Sequence, residues 1–520
     1  MTNRRHFLSL LPLSGMVSSA FAAPPAEPDR EPDVELELTA APAEIPILPG
    51  NPTKVWRFTG KVIKGPASSL QSLPNSYLGP VLRLRRGQLV RIRFRNNLGE
   101  PSIIHWHGLD IPEKADGHPR FAIGQDQEFV STFSVINRAG TYWYHPHPHM
   151  RTAQQVYNGL AGLVIVSDEE EEKLALPSGP QELLWVIQDR RIGPDNQFIY
   201  AGASPSNNTS QGPGRGRGMG RGGMRAMMET MNGWLGDRIL VSGLPDFSLS
   251  VDRRAYRIRL LNGSNARITK LAWHDGSPLT LIGTDGGLLT KPLSLKSLTL
   301  APGQRAELLL DLSSWQGPSQ LKLLSLEFPS DDVGMVGMMA DSSPAPQGAP
   351  LTVATLNISD TKGPGFPLPD SLSSDSFKPD PSAPLRPIPL YFMQMAWMID
   401  GEVFDMQAVS DAESVTAGST HLWEFENQEN PMGMAMAHPM HIHGTQFRIV
   451  SRSGGGPNSL RDGIHDAGWQ DTVLVLPGEK VRVQIRFSSL PGLYLYHCHI
   501  LEHEDMGMMR NFRITPPPAN

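Results

Sequence analysis

Cysteine is almost absent from this chain, which has one residue of that type, Cys498, among 520. One cysteine cannot form a disulfide within the chain, which excludes the disulfide-stabilised folds. Charged residues account for only 19% of the sequence and the net charge is -6, so the composition gives no support for nucleic-acid binding. The chain also lacks an apolar run long enough to cross a bilayer, and we expect no membrane span.

Long helical periodicities are hard to find as well, whereas glycine and proline are abundant, with 50 and 47 residues. That composition is typical of an all-β protein with many turns. A chain of 520 residues exceeds what one hydrophobic core usually holds, so we expect several domains.

Strand-like runs and turns divide the chain into three blocks. The first covers residues 45–168 and is followed by an acidic run, the second covers 175–358, and the third covers 386–516. Residues 359–385 are proline-rich and predict a linker that runs over a surface. We therefore predict three β-domains of ordinary size, and we expect a monomer.

Residues 1–23 have the features of an export signal. Arg4 and Arg5 precede a short apolar run, and Ala20 and Ala22 mark a small-residue cleavage site. The arginine pair is typical of the twin-arginine signal, whose export machinery carries folded proteins, and an ordinary signal that contains two arginines is the alternative. Either signal predicts a periplasmic location, where an unpaired thiol needs a partner such as a metal ion.

The most informative residues lie around the single cysteine, in the run His497-Cys498-His499. The aromatic and apolar residues before it, 492–496, predict a strand. Since successive side chains of a strand point to opposite faces, Cys498 should face away from both neighbouring histidines. One short segment would then serve separate metal centres on its two sides.

Three further His-x-His pairs accompany the one around Cys498. In a strand the two histidines of a pair lie on one face, about 6.6 Å apart, and can reach neighbouring ions. The eight imidazoles suit three ions held by three, three and two ligands. The pairs belong to the first and third blocks, which must therefore meet at the cluster, while the second block supplies none and is predicted to be a spacer. The residues are His105 and His107, His145 and His147, His441 and His443, and His497 and His499.

A separate set of residues is typical of a blue-copper centre, which uses one cysteine, two histidines and a distant methionine. Cys498, His503 and Met508 provide three of these ligands, and His438 provides the second histidine. A lone histidine is usually a surface or hydrogen-bonded residue, and this is our prediction for those that remain. They are His6, His118, His149, His274, His421 and His465.

Methionine occurs in groups, and its thioether attracts cuprous ions. Met434 and Met436 lie just before His438 and are candidates for a substrate copper site, together with Met393. The methionines at 224–231 instead have the spacing of one face of an amphipathic helix, for which core packing or a lid is the preferred interpretation.

Four motifs together resemble the multicopper oxidase family, and within it most closely the bacterial copper-efflux oxidases and laccases. They are HWHG at 105–108, WYHPHPH at 143–149, HPMHIHGTQF at 438–447 and HCHILEHEDMGMM at 497–509. The resemblance covers nearly all of the chain after the export signal. It implies three cupredoxin-like Greek-key β-sandwich domains and four copper ions, one of type 1, one of type 2 and two of type 3.

The resemblance also implies a role for each matching residue. The type 1 copper would be held by His438, Cys498, His503 and Met508. The type 2 copper would be held by His105 and His441, and the type 3 pair by His107, His145, His147, His443, His497 and His499. Asp116 and Glu504 match acidic residues that deliver protons to oxygen intermediates, and solvated surface carboxylates are the alternative interpretation.

The activity that the resemblance implies is oxidation of a reductant coupled to reduction of dioxygen to water, with electrons entering at His438 or His503 near the surface. Cu(I) is the first candidate reductant and would serve copper tolerance, while phenols are the second, as in laccases. Met434 stands where copper-efflux oxidases have an aspartate, and Met150 where the family commonly has a glycine. A metal-free structural role, as in the cell-division relatives of this family, and copper storage without turnover are two further candidate functions.

Overall fold

The computed structural model describes residues 30–200, 229, 231–334, 343–393, 396–429 and 435–518. The predicted export signal at 1–23 and the candidate Met434 lie outside these residues, as does most of the methionine group at 224–231. Strands dominate and helices are short, so the all-β prediction is confirmed. In the part of the chain that is described, none of the helices has the length and apolar character that a membrane crossing requires.

The first third of the chain forms two sheets that face each other across one core. The first sheet has the strand order β2-β1-β5-β7 and the second the order β3-β4-β9-β8-β6. The strands are β1 (Val34–Ile45), β2 (Thr53–Lys64), β3 (Leu70–Gln71), β4 (Val81–Arg85), β5 (Leu89–Asn96), β6 (Ile104–His107), β7 (Gln127–Ser134), β8 (Gly140–Pro146) and β9 (Gly162–Ser167). Strand β1 thus begins upstream of the boundary predicted at residue 45.

Alternation of apolar and charged residues explains why these segments are strands. In β5, Val90, Ile92 and Phe94 are buried, whereas Arg91 and Arg93 on the other face are partly exposed. Strand β1 alternates in the same way and pairs with β5 in parallel. A period of two in the sequence therefore gives each strand one face toward the core and one toward solvent.

The middle third also forms two sheets, with strand orders β12-β11-β10-β14-β19-β16-β17 and β13-β21-β20-β15-β18. Their buried leucine, isoleucine, valine and tryptophan side chains form a second core. The strands are β10 (Glu182–Arg190), β11 (Arg238–Val241), β12 (Leu244–Pro245), β13 (Ser248–Arg253), β14 (Ala255–Asn262), β15 (Thr269–Trp273), β16 (Leu279–Thr284), β17 (Gly287–Leu295), β18 (Leu298–Leu300), β19 (Arg305–Asp311), β20 (Gln320–Ser325) and β21 (Leu351–Lys362).

The last third contains a third pair of sheets around a third core, with strand orders β23-β22-β25-β29-β27 and β24-β31-β30-β26-β28. The strands are β22 (Leu385–Met393), β23 (Ala396–Ile399), β24 (Ser414–Thr416), β25 (Thr420–Asn427), β26 (His438–Ile442), β27 (Phe447–Gly454), β28 (Thr472–Val475), β29 (Glu479–Arg486), β30 (Gly492–Cys498) and β31 (Met509–Thr515). The three pairs of sheets are called here the first, middle and third sandwich.

The α-helices whose bounds lie within the described residues are short and connect strands. They are α1 (Glu113–Asp116), α2 (Thr152–Tyr157), α3 (Glu169–Leu174) and α4 (Leu501–Asp505). Helices α2 and α4 pack against each other through Ala153, Val156 and Leu501, which are fully buried. This contact joins the first sandwich to the third beside the histidine motifs of both.

Candidate metal centres

Strand pairing places the His-x-His motifs opposite one another. In the first sandwich β6 pairs with β8 antiparallel, and His105 lies directly opposite His145. In the third sandwich β26 pairs with β30 antiparallel, so that His441 lies opposite His497 and Met440 opposite Cys498. Since directly opposite residues of an antiparallel pair share a face, each sandwich presents its histidines on one surface.

The eight imidazoles converge where the first and third sandwiches meet. They form three groups in which the candidate ligand atoms all lie within 4.8 Å of one another. Each of these side chains is buried. The first group is His107, His145 and His499, the second is His147, His443 and His497, and the third contains His105 and His441 together with His107.

Backbone carbonyls determine which ring nitrogen of several imidazoles carries the proton. His105 Nδ1–H donates to the Asp116 carbonyl at 2.7 Å, and His441 Nδ1–H donates to the Asp471 carbonyl at 2.8 Å. The unprotonated Nε2 atoms of His105 and His441 then face each other at 3.3 Å. Two facing lone pairs repel, so a cation between the rings would remove an unfavourable contact.

In the second group, as in the third, hydrogen bonds from Nδ1 leave the Nε2 atoms unprotonated. His443 Nδ1–H donates to Asp116 Oδ2 at 2.8 Å and His497 Nδ1–H to the Cys498 carbonyl at 3.0 Å, which leaves both Nε2 atoms as acceptors 3.0 Å apart. In the first group, His145 Nε2 and both ring nitrogens of His499 are buried with no hydrogen-bond partner among the described residues. Buried polar atoms normally have partners, so these nitrogens are suited to bind a metal ion.

Burial keeps these imidazoles in the form that binds metal. Desolvation lowers the pKa of His145 from its ordinary value of 6.5 to about 3. Desolvation and repulsion from neighbouring histidines lower the pKa of His105, His443 and His499 well below 6.5. Neutral imidazole is the species that coordinates metal ions, and no proton has to be displaced at neutral pH.

Cys498 lies on the other face of β30 at the centre of a separate group. Its Sγ atom is 3.4 Å from His438 Nδ1 and 3.6 Å from His503 Nδ1. Met508 is fully buried, and its carbonyl accepts the Cys498 N–H at 3.1 Å, which holds it beside the cysteine. Burial raises the pKa of the Cys498 thiol, so a thiolate here needs a cation to stabilise it.

The predicted back-to-back arrangement is thus present in the geometry. Cys498 belongs to one group of candidate ligands, while His497 and His499 belong to two others. The donor set of each group is the kind that copper prefers, with imidazole nitrogens in three groups and thiolate sulfur added in the fourth.

Comparison with known proteins decides the family. Two family models described as multicopper oxidase match residues 57–171 and 378–518. The multicopper oxidase mco of Staphylococcus haemolyticus is 32% identical over 439 residues, which cover 84% of this chain and 82% of that protein. The chain belongs to the multicopper oxidase family.

A solved structure and a further relative extend this result. The McoA multicopper oxidase of Aquifex aeolicus shares 32% identity and a TM-score of 0.75, over 93% of this chain and 97% of that one. Cell division protein FtsP of Xenorhabdus nematophila is 28% identical over 469 residues, 89% of this chain and 87% of that protein. Multicopper oxidases are copper-binding oxidoreductases, and the fold is the cupredoxin-like one that the motifs predicted.

In this multicopper oxidase, Asp116 and Glu504 both contact the histidine cluster and neither is a solvated surface residue. Asp116 accepts the hydrogen bond from His443, and Glu504 Oε1 lies 3.4 Å from His147 Nε2 while its Oε2 lies 3.3 Å from His497 Nδ1. Both carboxyls are buried, and desolvation raises their pKa well above the ordinary values. Burial therefore favours the protonated form of both carboxyls.

The cysteine-centred group is more deeply buried than the sequence suggests. His438 and His503 are each fully buried, although the motifs predicted electron entry near the surface. Trp397 packs against both imidazoles, with ring centroids 4.8 Å from His438 and 4.9 Å from His503. The Met231 carbonyl accepts His503 Nε2–H at 2.9 Å and Trp397 Nε1–H at 3.0 Å. The sequence near His438 and His503 does not predict these contacts, because Met231 and Trp397 belong to two distant segments.

The three candidate substrate-site methionines have different surroundings. Met434 lies outside the described residues. Met436 is buried within the third core, and Met393 at the end of β22 is 44% exposed. Met150, at the position where a glycine was expected, has a backbone φ of 60°, which is the left-handed conformation that favours glycine.

The middle sandwich is more than the predicted spacer, because its Arg305 pairs with a residue that accepts hydrogen bonds from the cluster. Arg305 forms a buried ion pair with Asp471, and Asp471 accepts hydrogen bonds from His107 and His441. Sequence reasoning missed these residues. The only local signal was an aspartate just before the apolar strand β28, which does not identify its distant partners.

Proposed function

We propose that this protein is a copper-dependent oxidase that couples one-electron oxidation of Cu(I), or of a similar reductant, to four-electron reduction of dioxygen to water. The role would be copper tolerance in the periplasm after twin-arginine export. The observation that carries the proposal is the placement of Cys498 in one ligand group while its neighbours His497 and His499 belong to two others. Electrons accepted at the cysteine have a short covalent path to the histidine cluster.

The four groups would hold four copper ions, which supply one-electron redox chemistry when bound. His438, Cys498 and His503, with Met508 as a weak axial ligand, are proposed for type 1 copper. His105 and His441 are proposed for type 2 copper. The proposed type 3 ligands are His107, His145, His147, His443, His497 and His499. Two triads support this division, since the candidate ligand atoms of His107, His145 and His499, and those of His147, His443 and His497, lie within 4.8 Å of one another inside each triad.

Asp116 and Glu504 are proposed to supply protons. Reduction of dioxygen to water consumes one proton for each electron, and the site must deliver them inside a buried cluster. Both carboxyls lie against cluster imidazoles and have raised pKa values, so each can hold a proton close to where oxygen is reduced.

The surroundings of the cysteine-centred group support a small or soft reductant. Neither His438 nor His503 has exposed surface that a bulky molecule could touch. The Met231 carbonyl covers His503, and Met436 lies two residues before His438. Thioether sulfur is a preferred ligand of Cu(I), which supports the cuprous oxidase over an organic oxidase.

A laccase acting on phenols remains the second candidate, because one cavity favours it. A cavity of about 200 Å³ between the middle and third sandwiches is lined by Leu235, Ile268, Val333, Met436 and Ile500. It is mostly apolar, and the Ile500 N–H lies 3.4 Å from Cys498 Sγ. An aromatic reductant bound there would lie close to the cysteine.

Turnover of Cu(I) and of a phenol, each measured as oxygen uptake with and without added Cu(II), separates these two functions. A cuprous oxidase should oxidise Cu(I) efficiently, and added Cu(II) should raise its phenol turnover. If Cu(I) is a poor substrate and added Cu(II) leaves phenol oxidation unchanged, the laccase function replaces the one proposed here.

Metal analysis separates an oxidase from a metal-free structural protein and from a copper store. The copper-reconstituted protein should be intensely blue, and Cys498→Ser should remove the colour while leaving the fold intact. A protein that takes up no copper on reconstitution would be a structural relative, as the similarity to a cell-division protein allows. A blue protein that consumes no oxygen with any reductant would be a copper store.

A further inference from the structure

The middle sandwich meets the histidine cluster at one acidic residue of the third sandwich. Asp471 lies just before β28 and Arg305 begins β19, and both side chains are fully buried. Arg305 Nη1 donates to Asp471 Oδ1 at 2.8 Å, and Nη2 donates to Oδ2. This two-point pairing fixes the plane of the carboxylate as well as its position.

Asp471 in turn contacts cluster histidines from two different sandwiches. His107 Nε2–H donates to its carboxylate Oδ1 at 2.9 Å, and His441 Nδ1–H donates to its backbone carbonyl at 2.8 Å. With the proton on Nε2, the Nδ1 atom of His107 is left as the acceptor, and it is buried without a partner among the described residues. Asp471 therefore determines which nitrogen of His107 is free for a metal.

Arg305 is itself held in place by further hydrogen bonds that it donates. Its backbone N–H donates to Asp285 Oδ1 at 2.7 Å, its Nε–H donates to the Thr141 carbonyl at 3.0 Å, and Nη1 also donates to the Gly303 carbonyl at 2.8 Å. Thr141 belongs to β8, which carries the second histidine motif. The guanidinium thus touches all three sandwiches.

Gly303, in the turn before Arg305, shows how closely this part of the middle sandwich approaches the cluster. A side chain at this position would place its Cβ atom 3.0 Å from the His499 ring and 3.2 Å from the His107 ring. The glycine has a φ of 84°, which other residues rarely adopt. The turn from Gly303 to Arg305 therefore packs directly against two candidate ligands.

We propose that Arg305 is a positioning residue for the copper cluster. Its guanidinium fixes Asp471, and Asp471 fixes the tautomer of His107 and the orientation of His107 and His441. The middle sandwich thereby sets the arrangement of the type 2 and adjacent type 3 ligands without supplying one. This inference rests on the proposed assignment of His441 to type 2 copper and His107 to type 3 copper.

Arg305→Lys tests the proposal, because lysine keeps the positive charge but cannot pair with both carboxylate oxygens. Arg267→Lys is the matched control: Arg267 is a buried arginine of the same sandwich that pairs with Asp189 at 2.7 Å. Its other hydrogen bonds go to backbone carbonyls and not to Asp471 or a cluster histidine. Each copper-loaded protein is dialysed against a chelator. Type 2 copper is then followed by electron paramagnetic resonance and type 1 copper by its blue absorbance.

Arg305→Lys should lose type 2 copper at a chelator concentration about 10–100-fold lower than wild type, while its blue absorbance follows that of Arg267→Lys. Retention of type 2 copper equal to that of Arg267→Lys, or parallel loss of both signals, would overturn the proposal. A wild-type protein without a type 2 signal would instead count against the assignment on which the inference rests.

Asp471→Asn supplies a second test in case the lysine variant folds poorly. The amide keeps the shape of the side chain and the backbone carbonyl that His441 uses, but it removes the charge that faces Arg305 and His107. If Arg305 and Asp471 act through the same hydrogen bonds, the protein with both Arg305→Lys and Asp471→Asn should retain type 2 copper as poorly as either single variant. Additive losses would show that Arg305 acts independently of Asp471.

Discussion

Trp397 stacks its indole ring on the imidazole of His503, with ring centroids 4.9 Å apart and planes inclined by 30°. Both rings donate an N–H to the carbonyl of Met231. The edge of His503 that points away from the cysteine is therefore covered by the protein itself. Access to this edge decides which reductants can deliver electrons at short range.

Trp397→Ala should open the site to larger reductants. Removal of the indole exposes His503, so we expect kcat/KM for a bulky phenol to rise by about tenfold, equivalent to about 1.4 kcal/mol. The cavity should lower the free energy of unfolding by about 3–5 kcal/mol. Trp397→Phe keeps a ring in place and should change phenol turnover much less. A control, Trp423→Ala, removes a buried tryptophan of the same sandwich, and a similar gain there would contradict the interpretation.

The copper-free protein should lose stability as the pH falls below 6.5. Burial lowers the pKa of His145 and His503 to about 3, so between 6.5 and 3 the unfolded chain binds protons that the folded chain does not. Each such imidazole reduces the free energy of unfolding by about 1.4 kcal/mol per pH unit in that range. Denaturant titrations at several pH values measure the slope.

A control for this pH dependence replaces one imidazole with a side chain that does not titrate. His503→Gln should make the slope of the copper-free protein shallower by the equivalent of one proton. A copper-free protein whose stability is the same at pH 7 and pH 5 would show that the histidines are not buried in the absence of metal.

Glu307→Gln should destabilise the contact between the first and middle sandwiches. Glu307 is fully buried, where it pairs with Arg257 and Arg259 and accepts a hydrogen bond from Thr141 at 2.8 Å. The substitution removes the carboxylate that Arg257 and Arg259 share. Glu171 still pairs with both arginines and Glu182 with Arg259, so we expect a cost of about 1–3 kcal/mol in the free energy of unfolding.

Glu128→Gln is the matched exposed control for this network. Glu128 pairs with Arg93 at 3.3 Å on the outer face of β7, where solvent screens the charges. Its loss should cost less than about 1 kcal/mol. Equal effects of the two substitutions in thermal or denaturant unfolding would show that the buried network does not stabilise the contact.

Glu413 should contribute stability that disappears in acid. Burial alone would raise its pKa, but hydrogen bonds from Arg510 and Ser410 outweigh this and lower the pKa from 4.5 to about 2. A depressed carboxyl pKa stabilises the folded state above 4.5, and that stabilisation is lost as the pH falls toward 2. The stability difference between wild type and Glu413→Gln should therefore be largest above pH 4.5 and shrink in acid. A difference that stays constant down to pH 2.5 would contradict this.

The histidine positions could be predicted from the sequence because the signal is local. In His441-Ile442-His443 and His497-Cys498-His499 the two-residue period of a strand fixes which side chains share a face. Once β26 and β30 pair in the register that places His441 opposite His497, the two motifs lie side by side. The fold class followed from the same alternation, as the residues of β5 show.

The residues that orient and cover the ligands could not be predicted in this way. Arg305 and Asp471 are far apart in sequence, and nothing near either residue indicates that they pair. The choice of protonated nitrogen on His107 depends on that distant pair. Trp397 covers His503 only because the hairpin of β22 and β23 folds over α4, which depends on the packing of the whole third core.

The division of ligands among segments determines how independently the two kinds of centre can be engineered. Strands β26 and β30 each carry proposed ligands of both, so a substitution that shifts either strand should alter the redox behaviour of both centres together. The Met508 side chain extends from a segment that holds no cluster histidine. Exchange of this thioether for leucine or glutamine is therefore expected to tune the reduction potential of the copper proposed at Cys498, while the histidine cluster keeps its architecture.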